Sequence, residues 1–141
     1  MTIVVGYIPT PEGRAALAAA VEEALRRDES LLVLNASRGD AYVDPGFAPA
    51  EELESVRGQL SAARVGFDVR QLVRGKEPAE EVVQAAAEVG AELIVIGLRR
   101  RSAVGKLIMG STAQRILLDA PCAVLAVKAD AHHPAGERTR T

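Results

Sequence analysis

Residues 95–128, VIGLRRRSAVGKLIMGSTAQRILLDAPCAVLAVK, decide the fold of this chain. An apolar strand is predicted to end at Gly97, an arginine-rich loop follows it, and Gly110 and Ser111 open a helix that leads into a second apolar strand. The first N–H groups of a helix point outward together with the positive end of its dipole, and both favour an anion. We therefore expect any phosphate bound by this chain to lie at Gly110 and Ser111.

Outside this stretch, short apolar runs alternate with segments of helical period. The alternation predicts an α/β fold: a single-domain, doubly wound, five-stranded parallel sheet of order 3-2-1-4-5 with helices on both faces. The domain covers residues 1–128, and we expect residues 129–141 to form a disordered tail. Strands are predicted at residues 3–5, 30–34, 67–73, 93–96 and 122–127, and helices start at Pro11, near Leu53, at Pro78 and at Ser111.

Helical spacing also predicts which side of each helix faces the sheet. Gly66 is expected to end the second helix, and residues 38–49 form a loop long enough to be mobile or to act as a lid. The predicted inward residues are Leu17, Ala18, Val21, Ala24 and Leu25 in the first helix, Ala79, Val82, Val83 and Ala86 in the third, and Ala113, Ile116 and Leu117 in the fourth, whereas Glu51, Glu52 and Glu54 are placed on the solvent side of the second.

The composition narrows the range of partners. The net charge is −2 and only 3% of the 141 residues are aromatic, which argues against nucleic acid as a ligand. No apolar run approaches a membrane span, and the first residues do not follow the pattern of a signal peptide. One cysteine, Cys122, excludes an intramolecular disulfide, and its place in an apolar run predicts a packing residue. We expect a cytoplasmic protein with no nucleic-acid partner, no membrane partner and no metal site.

The predicted fifth strand is apolar on both faces and comes last in the chain, which places it at a sheet edge. An exposed apolar edge favours aggregation unless something covers it. Pairing with a second copy across a two-fold axis would cover the edge, which predicts a homodimer. The alternative is that a helix or the tail covers it. The predicted dimer strand consists of Ala123, Val124, Leu125, Ala126 and Val127.

Two common phosphate motifs are absent. The sequence Gly105-Lys106 is followed by Leu107 rather than Ser or Thr, and the turn after the first strand, GYIPTPEG, lacks the GxGxxG spacing. Ser111 either caps the fourth helix or reaches a phosphate oxygen, and the pattern leaves both open. No catalytic Ser/His/Asp set is available, because the only histidines, His132 and His133, lie in the predicted tail.

The chain resembles the universal stress protein family, whose motif G-x2-G-x9-G-[ST] precedes a helix and an APCPVLVV-like strand. Gly97, Gly110 with Ser111, and APC at residues 120–122 match it. VVG at 4–6, PEGRAAL at 11–17 and GKEPAEEVVQAA at 75–86 extend the likeness. The resemblance implies an α/β fold that dimerises through its fifth strand. It also implies ATP or AMP as a possible ligand, because many members bind one of these and others bind neither.

Two positions depart from the family pattern. Arg100 stands at the second motif glycine, and Ile8 stands where nucleotide-binding members tend to carry an aspartate that contacts adenine. Arg99 and Arg100, with Lys106 nearby, could instead hold phosphates through their side chains, although runs of arginine are usually solvated.

The resemblance predicts a nucleotide-binding regulatory module, with Mg²⁺ only if a triphosphate is bound. The second hypothesis is an interaction scaffold of the same fold that contacts an unidentified protein partner, and a slow ATPase is the least favoured. The predicted nucleotide site comprises Tyr7 and Ile8 with residues 34–36 near adenine, and Gly97, Arg99, Arg100, Lys106, Gly110, Ser111 and Thr112 near the ribose and phosphates.

Overall fold

The computed structural model describes residues 1–40, 42, 44–99 and 109–129. Its five strands are all parallel and follow the order β3-β2-β1-β4-β5, which confirms the predicted fold. No helix in these ranges is long and apolar enough to cross a membrane. The elements are β1 (Thr2–Gly6), α1 (Pro11–Arg27), β2 (Ser30–Ser37), α2 (Ala50–Ala63), β3 (Phe67–Val73), α3 (Pro78–Val89), β4 (Leu93–Leu98), α4 (Ser111–Asp119) and β5 (Ala123–Lys128).

The sheet lies between two helical layers. Helices α1 and α2 pack on one face, and α3 and α4 pack on the other. The central strands β1 and β4 are buried on both sides, so that Val5 and Val95 face the first layer while Val4 and Ile94 face the second. This double burial explains why both strands are continuous apolar runs rather than alternating ones.

Some predicted helix faces are wrong. Ala18 and Leu25 are exposed, and the buried side of α1 runs through Ala16, Leu17 and Ala20. Alanines occupy several sides of this helix, so its periodicity did not single out one face. In α4, Leu117 is exposed rather than inward.

Several predicted boundaries also differ, and β2 in particular extends to Ser37. Helix α2 ends at Ala63, before Gly66, because Arg64 adopts the left-handed conformation itself at φ 61° and donates its N–H to the last turn. Strand β4 continues through Gly97 to Leu98, so that glycine does not end the strand. Strand β5 begins at Ala123, and Cys122 lies just before it, packed against the α3–α4 layer where burial raises the pKa of its thiol.

The strand order creates the one topological switch point of this sheet. Strands β1 and β4 are hydrogen-bonded neighbours, with Val5 opposite Val95, but the chain leaves them toward opposite helical layers. A crevice therefore opens between the segments that follow their carboxyl ends. This is the place where open α/β sheets bind their ligands, and it contains most of the described site residues predicted above.

Candidate functional site

A cavity of about 520 Å³ opens at this switch point. Its size falls within the range of small-molecule sites, and its walls come from the carboxyl ends of β1, β2 and β4, the loop after β2 and the first turns of three helices. The lining residues are 6–8, 10, 12, 13, 34, 36, 38, 44–46, 78, 82, 96–99, 109–113 and 116.

The N-terminus of α1 forms one side of the cavity and is closed by the chain itself. Thr10 is the N-cap, and its hydroxyl accepts a hydrogen bond from the Gly13 N–H at 3.1 Å. Glu12 adds a carboxylate to the first turn. A Cβ placed on Gly13 would lie 1.9 Å from the carbonyl oxygen of Ile8, so only glycine permits this tight turn.

Gly97 lies beneath the same helix end. A Cβ on Gly97 would stand 2.2 Å from the carbonyl oxygen of Glu12. The sequence suggested that this glycine lets a ligand approach the backbone. In the structure the group that approaches it is the first turn of α1, so Gly97 serves to seat that helix against β4.

The N-terminus of α4 lies on the other side of the cavity and is open. Gly110 is the N-cap, with an ordinary φ of −74°, and no side chain caps the helix. Ser111 is the first helical residue and is exposed, so the alternative that it caps the helix is wrong. A Cβ on Gly110 would meet no described atom within 4 Å. Within the described residues, no side chain engages the N–H groups of this first turn, which can therefore face a ligand.

The charged residues described in the cavity wall are mostly paired. Arg99 approaches Glu12 with 3.7 Å between Nε and a carboxylate oxygen. Arg38 donates two hydrogen bonds to Glu77, at 2.7 and 3.1 Å, and these hold the pKa of Glu77 below its usual range. Asp44 accepts hydrogen bonds from the backbone N–H groups of Arg38 and Gly46, both at 2.9 Å.

The loop after β2 is anchored where it borders the cavity. The buried amide of Asn35 donates to the carbonyl oxygens of Tyr7 and Gly46, at 2.9 and 2.8 Å, and accepts from the Ala48 N–H at 3.0 Å. Gln71 on β3 donates to the same amide oxygen. Gln71 also donates to the Ala48 carbonyl oxygen at 2.7 Å. Within the loop of residues 38–49, which was expected to be mobile or to act as a lid, Gly46 and Ala48 are therefore tied to β2 and β3.

With this geometry established, similarity to known proteins becomes informative. The sequence profile described as the universal stress protein family matches residues 1–128. A relative from Mycolicibacterium smegmatis named "Universal stress protein" is 52% identical over 126 residues, which cover 89% of this chain and 96% of that one. This chain belongs to the universal stress protein family.

Solved structures of universal stress proteins agree with the fold. One from Archaeoglobus fulgidus is 33% identical, has a TM-score of 0.66, and is matched over 90% of this chain and 97% of that one. A second structure from the same organism, described as a complex with dAMP, is 27% identical with a TM-score of 0.58 over 90% of this chain and 96% of that one. The complex shows that this second protein binds a nucleotide.

The cavity of this universal stress protein brings together most residues singled out in the sequence. Arg100 and Lys106 lie outside the described residues, as do His132 and His133. No group of three or more His, Cys, Asp or Glu in the described ranges is arranged to hold a metal ion. The described site residues that line the cavity are Tyr7, Ile8, Gly97, Arg99, Gly110, Ser111 and Thr112.

Tyr7 also has a structural role. Only 2% of the residue is exposed, and it belongs to the core cluster beneath α1 and α2. Its hydroxyl donates to Glu52, which also accepts from Arg14 at 3.2 Å. Burial, followed by the Glu52 carboxylate, raises the pKa of Tyr7 far above its usual value. Glu52 is therefore not a solvent-side residue, because it joins α2 to β1 and α1.

Among the lining residues that sequence reasoning did not assign to the site are two charged ones, Glu12 and Arg38. Glu12 looked like an ordinary acidic residue of a first helical turn. The signal that could have pointed to Glu12 is Gly13, the next residue. A glycine at this helix start lets the first turn pack closely against the chain after β1, which brings Glu12 to the cavity.

Proposed function

We propose that this universal stress protein binds an adenine nucleotide, AMP or ATP, in the switch-point cavity as a cytoplasmic stress-response or regulatory module. The open N-terminus of α4 carries the proposal. Helices α1, α2 and α3 each place at least one acidic residue in their first turn, whereas α4 has none. No described side chain caps α4, a feature that it shares with α2 and α3. A phosphate at Ser111 and Thr112 would meet N–H groups that no described side chain engages, and the positive end of the helix dipole.

The opposite end of the cavity suits a base. Ile8, Leu34 and Ala36 give it apolar walls, and the anchored residues 44–46 close it from the side. Ile8 has no polar atom in its side chain, so backbone groups would have to read the base edge. The dAMP complex of the 27%-identical Archaeoglobus protein supports an adenine nucleotide as the ligand class.

A magnesium ion enters this proposal only with a triphosphate. Asp44 is already engaged by two backbone N–H groups, and Glu12 faces Arg99. The described residues thus offer no protein ligand set, and the ion would be held by phosphate oxygens and water.

The first test is to denature freshly purified protein, identify any released nucleotide by mass spectrometry, and titrate nucleotide-free protein with AMP and ATP by calorimetry. The double variant Gly110→Val, Ser111→Ala should abolish binding, because a branched side chain would occupy the approach to the α4 N–H groups. It should keep the wild-type oligomeric state. No released nucleotide and no heat at millimolar AMP or ATP would refute the proposal and favour the scaffold hypothesis, to which Ile8 already lends support.

We also propose that β5 pairs with β5 of a second copy. Its residues 123–127 are uncharged and only partly buried at a sheet edge, whereas the opposite edge, β3, carries Asp68 and Arg70. An apolar edge strand without such charges needs a cover. Light scattering should give twice the chain mass of 14.9 kDa, and a monomer at micromolar concentration would contradict the pairing.

A further inference from the structure

Glu12 is a nearly buried carboxylate inside the cavity. Only 9% of the residue is exposed, and it lines the cavity on the α1 side. Its charged neighbour is Arg99, at 3.7 Å, whose side chain is 61% exposed. An acid in a site proposed for a phosphate compound requires an explanation, since a phosphate close to it would be repelled.

The position of Glu12 along the cavity supplies that explanation. Its backbone rests on Gly97, where a Cβ would stand 2.2 Å from the Glu12 carbonyl oxygen and 3.0 Å from its Cβ. The next residue, Gly13, rests on the carbonyl of Ile8. Glu12 thus stands between Ile8 at the base end and the end of β4, which leads toward Gly110. Ile8, Glu12 and Gly110 line the same cavity, so Glu12 is within the space available to a ligand that reaches from Ile8 to Gly110.

In a nucleotide, the group between the base and the phosphate is the sugar. Ribose presents two neighbouring hydroxyl donors, and an ionised carboxylate is an acceptor with two oxygens. Hydrogen bonds from hydroxyl groups to a carboxylate are among the strong ones, and an acid that holds ribose hydroxyls recurs in doubly wound nucleotide-binding sheets.

We propose that Glu12 is a specificity-determining residue that accepts hydrogen bonds from the ribose hydroxyls and selects ribonucleotides. This inference rests on the proposed nucleotide function. A purely structural role is the competing explanation, because an acid in the first turn of α1 also stabilises the helix dipole. The structural role predicts a change in stability and no change in the preference between sugars.

The test compares AMP with 2′,3′-dideoxyadenosine monophosphate, which lacks both hydroxyl groups. Calorimetry at one fixed salt concentration should give a dissociation constant about tenfold or more lower for AMP in the wild type, because charge-assisted hydrogen bonds are at stake. Glu12→Gln should reduce this ratio, and Glu12→Ala should bring it close to one. Using the ratio matters because removing the Glu12 charge also frees Arg99, which strengthens phosphate binding equally for both ligands.

Glu54→Gln is the matched control. It removes the same charge from α2, where the Glu54 side chain is 74% exposed and pairs with Arg57, and it should leave the ratio at the wild-type value. If the wild type binds neither nucleotide, the proposed function fails. If it binds both equally, or if Glu12→Ala keeps the ratio, nucleotide binding stands and the role of Glu12 is refuted.

Discussion

Of the helix N-termini that face the cavity, those of α1 and α4 differ most. The start of α1 is closed, with Thr10 as a bonded cap, Glu12 in the first turn, and glycines at 13 and 97 against which backbone atoms are tightly packed. The start of α4 is open, since Gly110 provides no side-chain cap and has free space beside its Cα within the described structure. Among the described residues, a side chain accepts from a first-turn N–H group at α1, whereas none does so at α4.

This difference separates stability from binding. Unpaired N–H groups at a helix end need side chains, water or a ligand. At α1 the partners are built in, so changes there should alter the free energy of unfolding. At α4 no described side chain is a partner, so changes there should alter affinity more than the free energy of unfolding. The predictions below test this separation, starting with the largest expected effect.

Replacing each glycine by alanine should give opposite results at the two ends. Gly97→Ala places a methyl group 2.2 Å from the Glu12 carbonyl oxygen, and backbone atoms must move to admit it. We expect a loss of about 3 kcal/mol in the free energy of unfolding, the upper end of ordinary overpacking costs. Urea denaturation measures the loss.

Gly110→Ala is the matched control for that substitution. Its backbone angles suit alanine and the methyl group meets no described atom, so unfolding should change only by the N-cap preference for glycine over alanine, about 0.5–1 kcal/mol. Equal losses in the two variants would mean that the α4 end is as closely packed as the α1 end, and the contrast between them would fall.

Ser111→Glu should make α4 resemble the other three helices. An acid in the first turn interacts favourably with the helix dipole, so the unfolding free energy should rise by about 0.5 kcal/mol. The same charge would occupy the proposed phosphate position, and AMP affinity should fall at least about a hundredfold, or ~2.7 kcal/mol. Calorimetry and urea denaturation on one preparation measure both quantities.

The uncharged variant Ser111→Gln controls for the size of the side chain and should lose much less affinity than Ser111→Glu. The opposite signs of the two effects make Ser111→Glu informative. If the charged variant binds AMP as the wild type does, the phosphate does not lie at α4.

The fold was predictable because it depends on patterns repeated along the chain. Alternating apolar strands and amphipathic helices fix a parallel doubly wound sheet, and such a sheet fixes where its switch point lies. Strand β3 has the predicted bounds and helix α4 starts at the predicted Ser111, since a glycine precedes each of them. The family resemblance, rather than these patterns, assigned Ile8 to the same site as Gly97 and Gly110, and all three line the cavity.

Contacts between distant segments were not predictable from these patterns. Glu52 resembles any acid near a helix start, and only the fold shows that it accepts from Tyr7, 45 positions earlier. Gly97 matched a family motif, but periodicity cannot show that its neighbour is the first turn of α1. Arg64 ends α2 in a left-handed conformation that glycine favours, so the nearby Gly66 was the natural and wrong choice.

The smallest effect tests the cap itself. Thr10→Ala removes the hydroxyl that accepts from the Gly13 N–H, and we expect the unfolding free energy to fall by about 1 kcal/mol, the usual value for a lost cap. Thr10→Ser keeps the acceptor and should retain most of that free energy.

Thr112→Ala at the open end removes a hydroxyl from a helix for which no described side chain provides a cap. The free energy of unfolding should therefore change by no more than about 0.3 kcal/mol, while AMP affinity falls. A loss in Thr112→Ala as large as that in Thr10→Ala would show that the Thr112 hydroxyl caps α4. The first-turn N–H groups on which the nucleotide proposal depends would then already have a hydrogen-bond acceptor within the chain.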